Sequence, residues 1–184
     1  LGNLLVSLLC GLVPIIVLFP EERPIQLTAF IKPEEIHQAV GLVWFYGLFA
    51  FATNMLREQI KDLEDFPGDS ACDCTTLPVL KGLRYAKKPA AFSGLFLSAF
   101  IGFLIYFWQQ TLAPTWQIVA GVLFLLLPAI ASTAIIYFAQ SKKDFSRASL
   151  MVKIIMFIGV FLLLRSWPED ILGAAATYFV DFQK

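Results

Sequence analysis

The sequence predicts an all-α, polytopic bundle of transmembrane helices, and three observations predict it. The chain is 58% hydrophobic, with a mean hydropathy of +0.73. Only 15% of its residues are charged, against about 25% in ordinary soluble domains. No Asp, Glu, Lys or Arg occurs anywhere in residues 89–141, a stretch long enough to cross a bilayer twice at about 20 residues per span. Helices are expected rather than strands, because backbone N–H and C=O groups in hydrocarbon must be satisfied within their own segment. These segments also lack the alternating faces of barrel strands. A soluble all-α protein would need uncharged core runs of a length that globular helices do not reach.

Five spans are expected. Residues 1–19 open inside an apolar run without the charged flank and small-residue cleavage site of a signal peptide, so the chain reads as the C-terminal part of something longer. Residues 37–56 form the second span, which continues as a charged helical extension over 57–65 until Pro67 and Gly68 end it. Residues 90–108 and 116–139 make a tight hairpin, separated by Gln109, Gln110, Thr111, Pro114 and Thr115. Residues 149–164 form the fifth, with Lys153 close enough to one end for its ammonium to snorkel out. Residues 167–184 read as an interfacial amphipathic segment.

Orientation follows from Lys and Arg, which are retained on the cytoplasmic side. Ten of the fourteen fall on one side of these spans: Arg57, Lys61, Lys81, Arg84, Lys87, Lys88, Lys142, Lys143, Arg147 and Lys153. The loop after residue 56 is therefore expected to be cytoplasmic and the C-terminus outside. Net charge is zero, and nothing in the chain suggests a nucleic-acid partner. Cys10, Cys72 and Cys74 are too few and too irregular for a disulfide framework. A C-x-C pair without further Cys or His cannot complete a zinc site.

Residues 56–78, LREQIKDLEDFPGDSACDCTTLP, hold five of the chain's fourteen Asp and Glu residues between Asp62 and Asp73. On the helical extension Arg57 and Lys61 share a face, as do Asn54 and Glu58, and Asp62 and Asp65. Asp69 follows the Pro-Gly pair, where the chain is expected to fold back toward the helix end. Three carboxylates that converge without a base for each repel one another, and a divalent cation relieves the conflict. Mg²⁺ takes hard oxygen ligands and is usually held by one or two carboxylates plus substrate phosphates. It stabilises charge on a leaving diphosphate oxygen, and Arg57 and Lys61 are placed to contact the same group. Asn54, one turn inside the membrane end, suits a phosphate or a neighbouring helix. Composition alone is equally compatible with a solvated, charge-mixed loop.

The stretch Arg57-Glu58-Gln59-Ile60-Lys61-Asp62-Leu63-Glu64-Asp65-Phe66-Pro67-Gly68-Asp69, followed by Thr76-Leu77-Pro78, resembles the second aspartate-rich motif of the UbiA-type intramembrane prenyltransferases. That motif has the form R-E-x-x-K-D-x-E-D-x-x-G-D, then T-L-P. Its place in a loop with three spans still to come is similar too. The resemblance implies a bundle of nine spans, of which residues 1–184 supply about five as the C-terminal part of a single prenyltransferase domain. It implies Mg²⁺-dependent transfer of a polyprenyl group from its diphosphate to an acceptor, glycerol phosphate-type or aromatic, within the membrane. Asp65 and Asp69 would be the D-x-x-x-D pair and Asp62 the aspartate ahead of it, together holding Mg²⁺ and the donor diphosphate. Asn54, Arg57 and Lys61 would complete the substrate contacts.

The form of the motif is most similar to the branch that prenylates glycerol phosphate backbones. The partners implied are a polyprenyl diphosphate donor, a small-molecule or lipid-precursor acceptor and membrane lipids. The setting implied is a bacterial or archaeal cell membrane with the active site facing the cytoplasm. Two departures stand beside the match. The family's first motif, N-x-x-x-D-x-x-x-D, is absent and is expected upstream of Leu1. Asp73 and Thr75 stand where members often have Gly and Lys.

Eighteen phenylalanines, with Phe92, Phe96, Phe100, Phe103 and Phe107 at helical spacing, suit a cavity for an isoprenoid tail and an allylic cation. They suit helix packing and lipid contact equally. CDP-alcohol phosphotransferases also cluster membrane aspartates but need a D-G-x-x-A-R element, which this stretch lacks. The alternative from another class is a non-catalytic membrane protein, either a cation-binding transporter segment or a degenerate homologue. Transporters place their carboxylates nearer the bilayer midplane, whereas these lie at its surface.

Overall fold

A computed structural model describes residues 2–16, 18, 33–72, 74–110 and 115–165. Every regular element among them is helical. The helices are α1 (Gly2–Ile16), α2 (Pro33–Ala71), α3 (Leu77–Lys81), α4 (Leu83–Gln110), α5 (Thr115–Phe138) and α6 (Lys142–Arg165). Helices α2, α4, α5 and α6 are long and apolar enough to cross a membrane. The first expected span, residues 1–19, is described as a helix of 15 residues, about 22 Å long and so shorter than a hydrocarbon core of about 30 Å. The amphipathic segment expected over 167–184 lies outside the described residues.

The long helices overrun the expected spans at one end of the bundle. Helix α4 starts at Leu83, not residue 90, and so carries Arg84, Lys87 and Lys88 in its first turns. Helix α6 starts at Lys142, not residue 149. Its first turn is fixed by Asp144, whose Oδ2 accepts from the backbone N–H groups of Gln140 at 3.1 Å and Ser141 at 3.0 Å, and from Ser141 Oγ at 2.9 Å. Those bonds satisfy donors that a helix start otherwise leaves open. Lys87 Nζ donates to the Ala139 carbonyl and lies 5.6 Å from the centre of the Phe145 ring, tying the start of α4 to the α5–α6 corner.

Helix α2 departs most from expectation. Its 39 residues run about 58 Å, and the helix does not end at Pro67 and Gly68. Pro67 lacks the N–H that would bond the Leu63 carbonyl, yet the helix continues to Ala71. Bonds around that last turn compensate: Ser70 Oγ donates to the Phe66 carbonyl at 2.7 Å, and the Cys72 and Cys74 N–H groups donate to the Asp69 carbonyl at 3.3 and 3.0 Å. The chain then enters α3, and Gly82, at φ +83°, makes the left-handed step into α4 that a side chain would resist. In α5 a π turn, Val122–Leu126, sits just before Pro128, where the helix has to accommodate a missing donor and a bulky ring.

Helices α2, α4, α5 and α6 close into a ring, each packed on two neighbours, with α1 outside against α2. The core of the ring holds Leu56, Ile60 and Leu63 from α2, Leu97 and Ile101 from α4, Ile136 from α5 and Val152 and Ile155 from α6, all buried. Outward-facing apolar side chains are as large as Phe92, Tyr137, Phe138 and Phe157, each at least 68% exposed. Such a surface is stable against lipid and not against water, and the protein is an integral membrane protein.

Lipid offers little hydrophobic gain for joining helices, so small residues that let backbones approach provide the contact. A Cβ on Gly47 would meet the Gly11 carbonyl oxygen at 2.6 Å, and one on Gly11 would meet the Gly47 oxygen at 2.9 Å. Gly94 is held against Thr133 and Gly159 against the Phe49 ring in the same way. We expect Gly47→Val to push α1 off α2 and to cost about 1–3 kcal/mol. Thermal unfolding of the detergent-solubilised protein, beside a Gly41→Ala control whose Cβ meets nothing within 4 Å, checks this.

Candidate active site

The site is built on the outer third of α2, where one helix has two faces. At about 3.6 residues per turn, Leu56, Ile60 and Leu63 point into the ring. Asn54, Arg57, Glu58, Lys61, Asp62, Asp65 and Asp69 share the opposite side. Asp62, Asp65 and Asp69, at i, i+3 and i+7, form a single stripe, all three half-buried. Asp69 joins that stripe by continuing the helix, not by folding back as expected.

The candidate residues find different partners. Arg57 Nη1 donates to Glu58 Oε1 at 2.7 Å, so part of its charge is engaged beside the aspartates. Lys61 is exposed. Asn54 is buried, and its Nδ2 lies 3.4 Å from Ser7 Oγ on α1. Ser7 Oγ in turn donates to the Asn3 carbonyl at 2.6 Å, and Asn3 Nδ2 donates to Asp62 Oδ2 at 2.6 Å. Helix α1 thus runs antiparallel to α2, with its polar end beside the carboxylates.

Asn3 and Ser7 were not singled out from sequence. The available signal was that they are the polar side chains among the first nine residues of an otherwise apolar run, and such residues in a span are usually partnered.

Asp62 lies past the apolar part of α2, outside the hydrocarbon. Burial pushes its carboxyl above the usual carboxylate value; the Asn3 hydrogen bond opposes that, the nearby Asp69 and Glu58 charges add to it, and Lys61 opposes it. The stripe's donors are carboxylate oxygens, the kind that hard cations take. Among the described residues no three His, Cys, Asp or Glu side chains close on one point as a metal cage. The arrangement instead offers carboxylates one turn apart along a helix. Within the same motif Gln59 Oε1 and Thr76 Oγ1 are buried with no hydrogen-bond partner. Cys72 and Cys74 are free and exposed. Asp73 lies outside the described residues.

The stretched phenylalanine pattern divides. Phe100 is buried in the ring, whereas Phe92, Phe96, Phe103 and Phe107 face outward. Phe45 approaches Phe107 with ring centres 6.0 Å apart, and Phe103 stacks on Phe107 at 6.4 Å.

Comparison with known proteins gives a consistent set of relatives. Over 164 residues the chain is 28% identical to a digeranylgeranylglyceryl phosphate synthase of Methanosphaera stadtmanae, covering 86% of this chain and 51% of the relative. It is 30% identical over 131 residues to the synthase of Thermococcus gammatolerans, covering 68% and 43%. It is 32% identical over 129 residues to that of Methanopyrus kandleri, covering 67% and 43%. The chain is similar to these synthases, which are UbiA-type prenyltransferases. It spans about half the length of the curated relatives it matches. No family model and no solved structure matches it.

The raised carboxyl of Asp62 carries a stability consequence. A folded-state value above the unfolded one means that the folded protein holds the proton more tightly, so its contribution is favourable at acid pH and is lost as pH rises through the folded value. In chelator at pH 7 the ionised Asp62 is therefore a cost. Asp62→Asn, which can still pair with Asn3, should be at least as stable as the wild type there, with any advantage shrinking toward pH 4. Thermal unfolding at the two pH values measures it.

Proposed function

We propose that the protein transfers a polyprenyl group from its diphosphate to a glycerol phosphate-type acceptor at the membrane surface, in an Mg²⁺-dependent reaction. The observation that carries this reading is the half-buried stripe of Asp62, Asp65 and Asp69 at the membrane-surface end of a spanning helix, in a chain related to digeranylgeranylglyceryl phosphate synthases. That name describes a product with two geranylgeranyl groups on a glyceryl phosphate. The donor inferred from it is an isoprenoid diphosphate, and the acceptor a glyceryl phosphate already carrying one prenyl chain.

Asp62, Asp65 and Asp69 are the residues that would hold Mg²⁺, and bound there it would supply positive charge to the diphosphate oxygen that leaves. Arg57 and Lys61, on the same side of α2, add fixed positive charge for the diphosphate. Arg57 keeps N–H donors beyond the one given to Glu58, because a guanidinium has five. In the reaction the allylic carbon–oxygen bond to the diphosphate breaks and the electron pair leaves on the diphosphate. A hydroxyl oxygen of the acceptor forms the new ether bond and releases its proton to the diphosphate or to water. The chain's tasks are to orient the diphosphate, neutralise it, and keep the prenyl tail in the apolar phase, so that the two reactants meet with little loss of freedom still to pay.

The ten-to-four split of Lys and Arg supports a cytoplasmic position for this end of the bundle, where a water-soluble diphosphate donor would reach it. Reporter fusions or cysteine labelling at Gly68 and at Lys184 should find the first inside and the second outside; the reverse at both would remove the site from its donor supply.

Asp65→Asn and Asp69→Asn in the full-length protein should each lower prenyl transfer at least 100-fold, a loss of about 2.7 kcal/mol or more in transition-state stabilisation, with insertion and folding unchanged. Both residues lie on a helix outside the hydrocarbon, so an isosteric amide costs the fold little, but it is a poor ligand for a hard cation. Turnover of the prenyl diphosphate by the double variant in chelator at the wild-type rate would end the metal–diphosphate reading.

A further inference from the structure

Two features of α1 are not explained by helix packing alone. Its contact with α2 is already made by Gly11 against Gly47, yet two polar residues, Asn3 and Ser7, sit on the same face. Their bonds form one chain of contacts: Asn54 Nδ2 to Ser7 Oγ at 3.4 Å, Ser7 Oγ to the Asn3 carbonyl at 2.6 Å, and Asn3 Nδ2 to Asp62 Oδ2 at 2.6 Å. Ser7 is fully buried and Asn54 nearly so, so these groups cannot fall back on water and their partners are enforced. The Gly–Gly contact sets how closely α1 approaches and in which register, and the buried Ser7–Asn54 contact adds to the strength of that seam. The residue those settings deliver to the acidic stripe is Asn3.

A donor there does something a lipid-facing residue cannot. Asp62 has Glu58 one turn before it and Asp69 two turns beyond, and its side chain would swing away from both if left alone. An amide held from a second helix fixes one carboxylate oxygen and thereby the orientation of the whole group, without cancelling its charge as Lys or Arg would. We propose that Asn3 is a positioning residue for the active site: from α1 it holds the Asp62 carboxylate in the orientation in which that group binds the cation and diphosphate. The inference rests on the metal–diphosphate reading of the stripe. It also makes α1 part of the site, so that separation of α1 from α2 affects function as well as packing.

The test uses the full-length protein in detergent or nanodiscs and titrates Mg²⁺ alone, following the rise in unfolding temperature, then Mg²⁺ with inorganic diphosphate. Outer-shell partners of metal ligands typically contribute about 10–100-fold to affinity. Asn3→Ala is expected to raise the Mg²⁺ concentration for half-maximal stabilisation at least tenfold. Asn3→Gln, which keeps the amide donor, should stay within about threefold of wild type on the same reasoning. Ser7→Ala serves as the packing control, because it weakens the seam without touching Asp62; it should lower the metal-free unfolding temperature while moving the Mg²⁺ midpoint much less than Asn3→Ala does.

In transfer assays Asn3→Ala should regain most of its kcat at high Mg²⁺, with the KM for the acceptor unchanged. Equal Mg²⁺ midpoints for wild type and Asn3→Ala, or equal shifts in Asn3→Ala and Ser7→Ala, would overturn the proposal and reduce Asn3 to helix packing. If the wild type itself shows no response to Mg²⁺ with diphosphate, the metal–diphosphate reading fails first and the positioning role falls with it.

Discussion

Helix α2 must satisfy hydrocarbon along one part of its length and water along the rest, while keeping one continuous apolar face against the ring. The rest of the structure follows from how it does so. Phe49, Ala52, Leu56, Ile60 and Leu63 are all buried and recur three or four residues apart, so the inward stripe crosses the membrane surface without a break. Because Ile60 and Leu63 remain anchored by packing, the helix can carry charge on its other side well past the hydrocarbon. The carboxylates therefore stand on a rigid element and not on a loop, and rigid elements hold functional groups more closely than loops do.

The same requirement explains the lengthened starts of α4 and α6. The inward residues near the end of α2 need partners beyond the bilayer, and Ala86 and Ala90 of α4 with Phe145 and Ala148 of α6 are buried there. Polar chemistry then closes the outer surface. Lys87 bonds the carbonyl of the buried Ala139, and Asp144 caps α6. Positive charge at this end thus has a structural use, since Lys87 meets a carbonyl at the end of α5.

Much of this was legible in the sequence. The uncharged run over residues 89–141 marked the α4–α5 pair, and the thirteen-residue acidic motif marked the charged end of α2. Two things were hidden, for physical reasons. Pro67-Gly68 is locally a helix breaker, but a proline one turn from a helix end removes only one internal bond, and the Ser70, Cys72 and Cys74 bonds to the Phe66 and Asp69 carbonyls hold the turn beyond it. Local propensity lost to a nearby network that spacing rules do not see. The role of Asn3 was hidden because it depends on the register between two helices, which is set by Gly11 and Gly47. Neither glycine carries a periodic signal, and the pairing of residues 3 and 62 exists only once the helices are packed.

The helical continuation through Pro67 also changes what the three aspartates can do. A rise of about 1.5 Å per residue places Asp65 about 4.5 Å beyond Asp62 along the axis, and Asp69 about 6 Å beyond that. One Mg²⁺, with ligands at about 2.0–2.1 Å, does not bridge the outer pair across roughly 10 Å. Asp65 is the carboxylate that can share an ion with either neighbour. A stripe of this kind is incomplete as a metal cage, in keeping with the absence of a closed three-residue cluster among the described residues. On the proposed function, oxygens of a diphosphate would fill the positions that the helix leaves open. Donor binding and metal binding would then be one event, and an ion held without donor would be weak, as the proposed release of diphosphate requires.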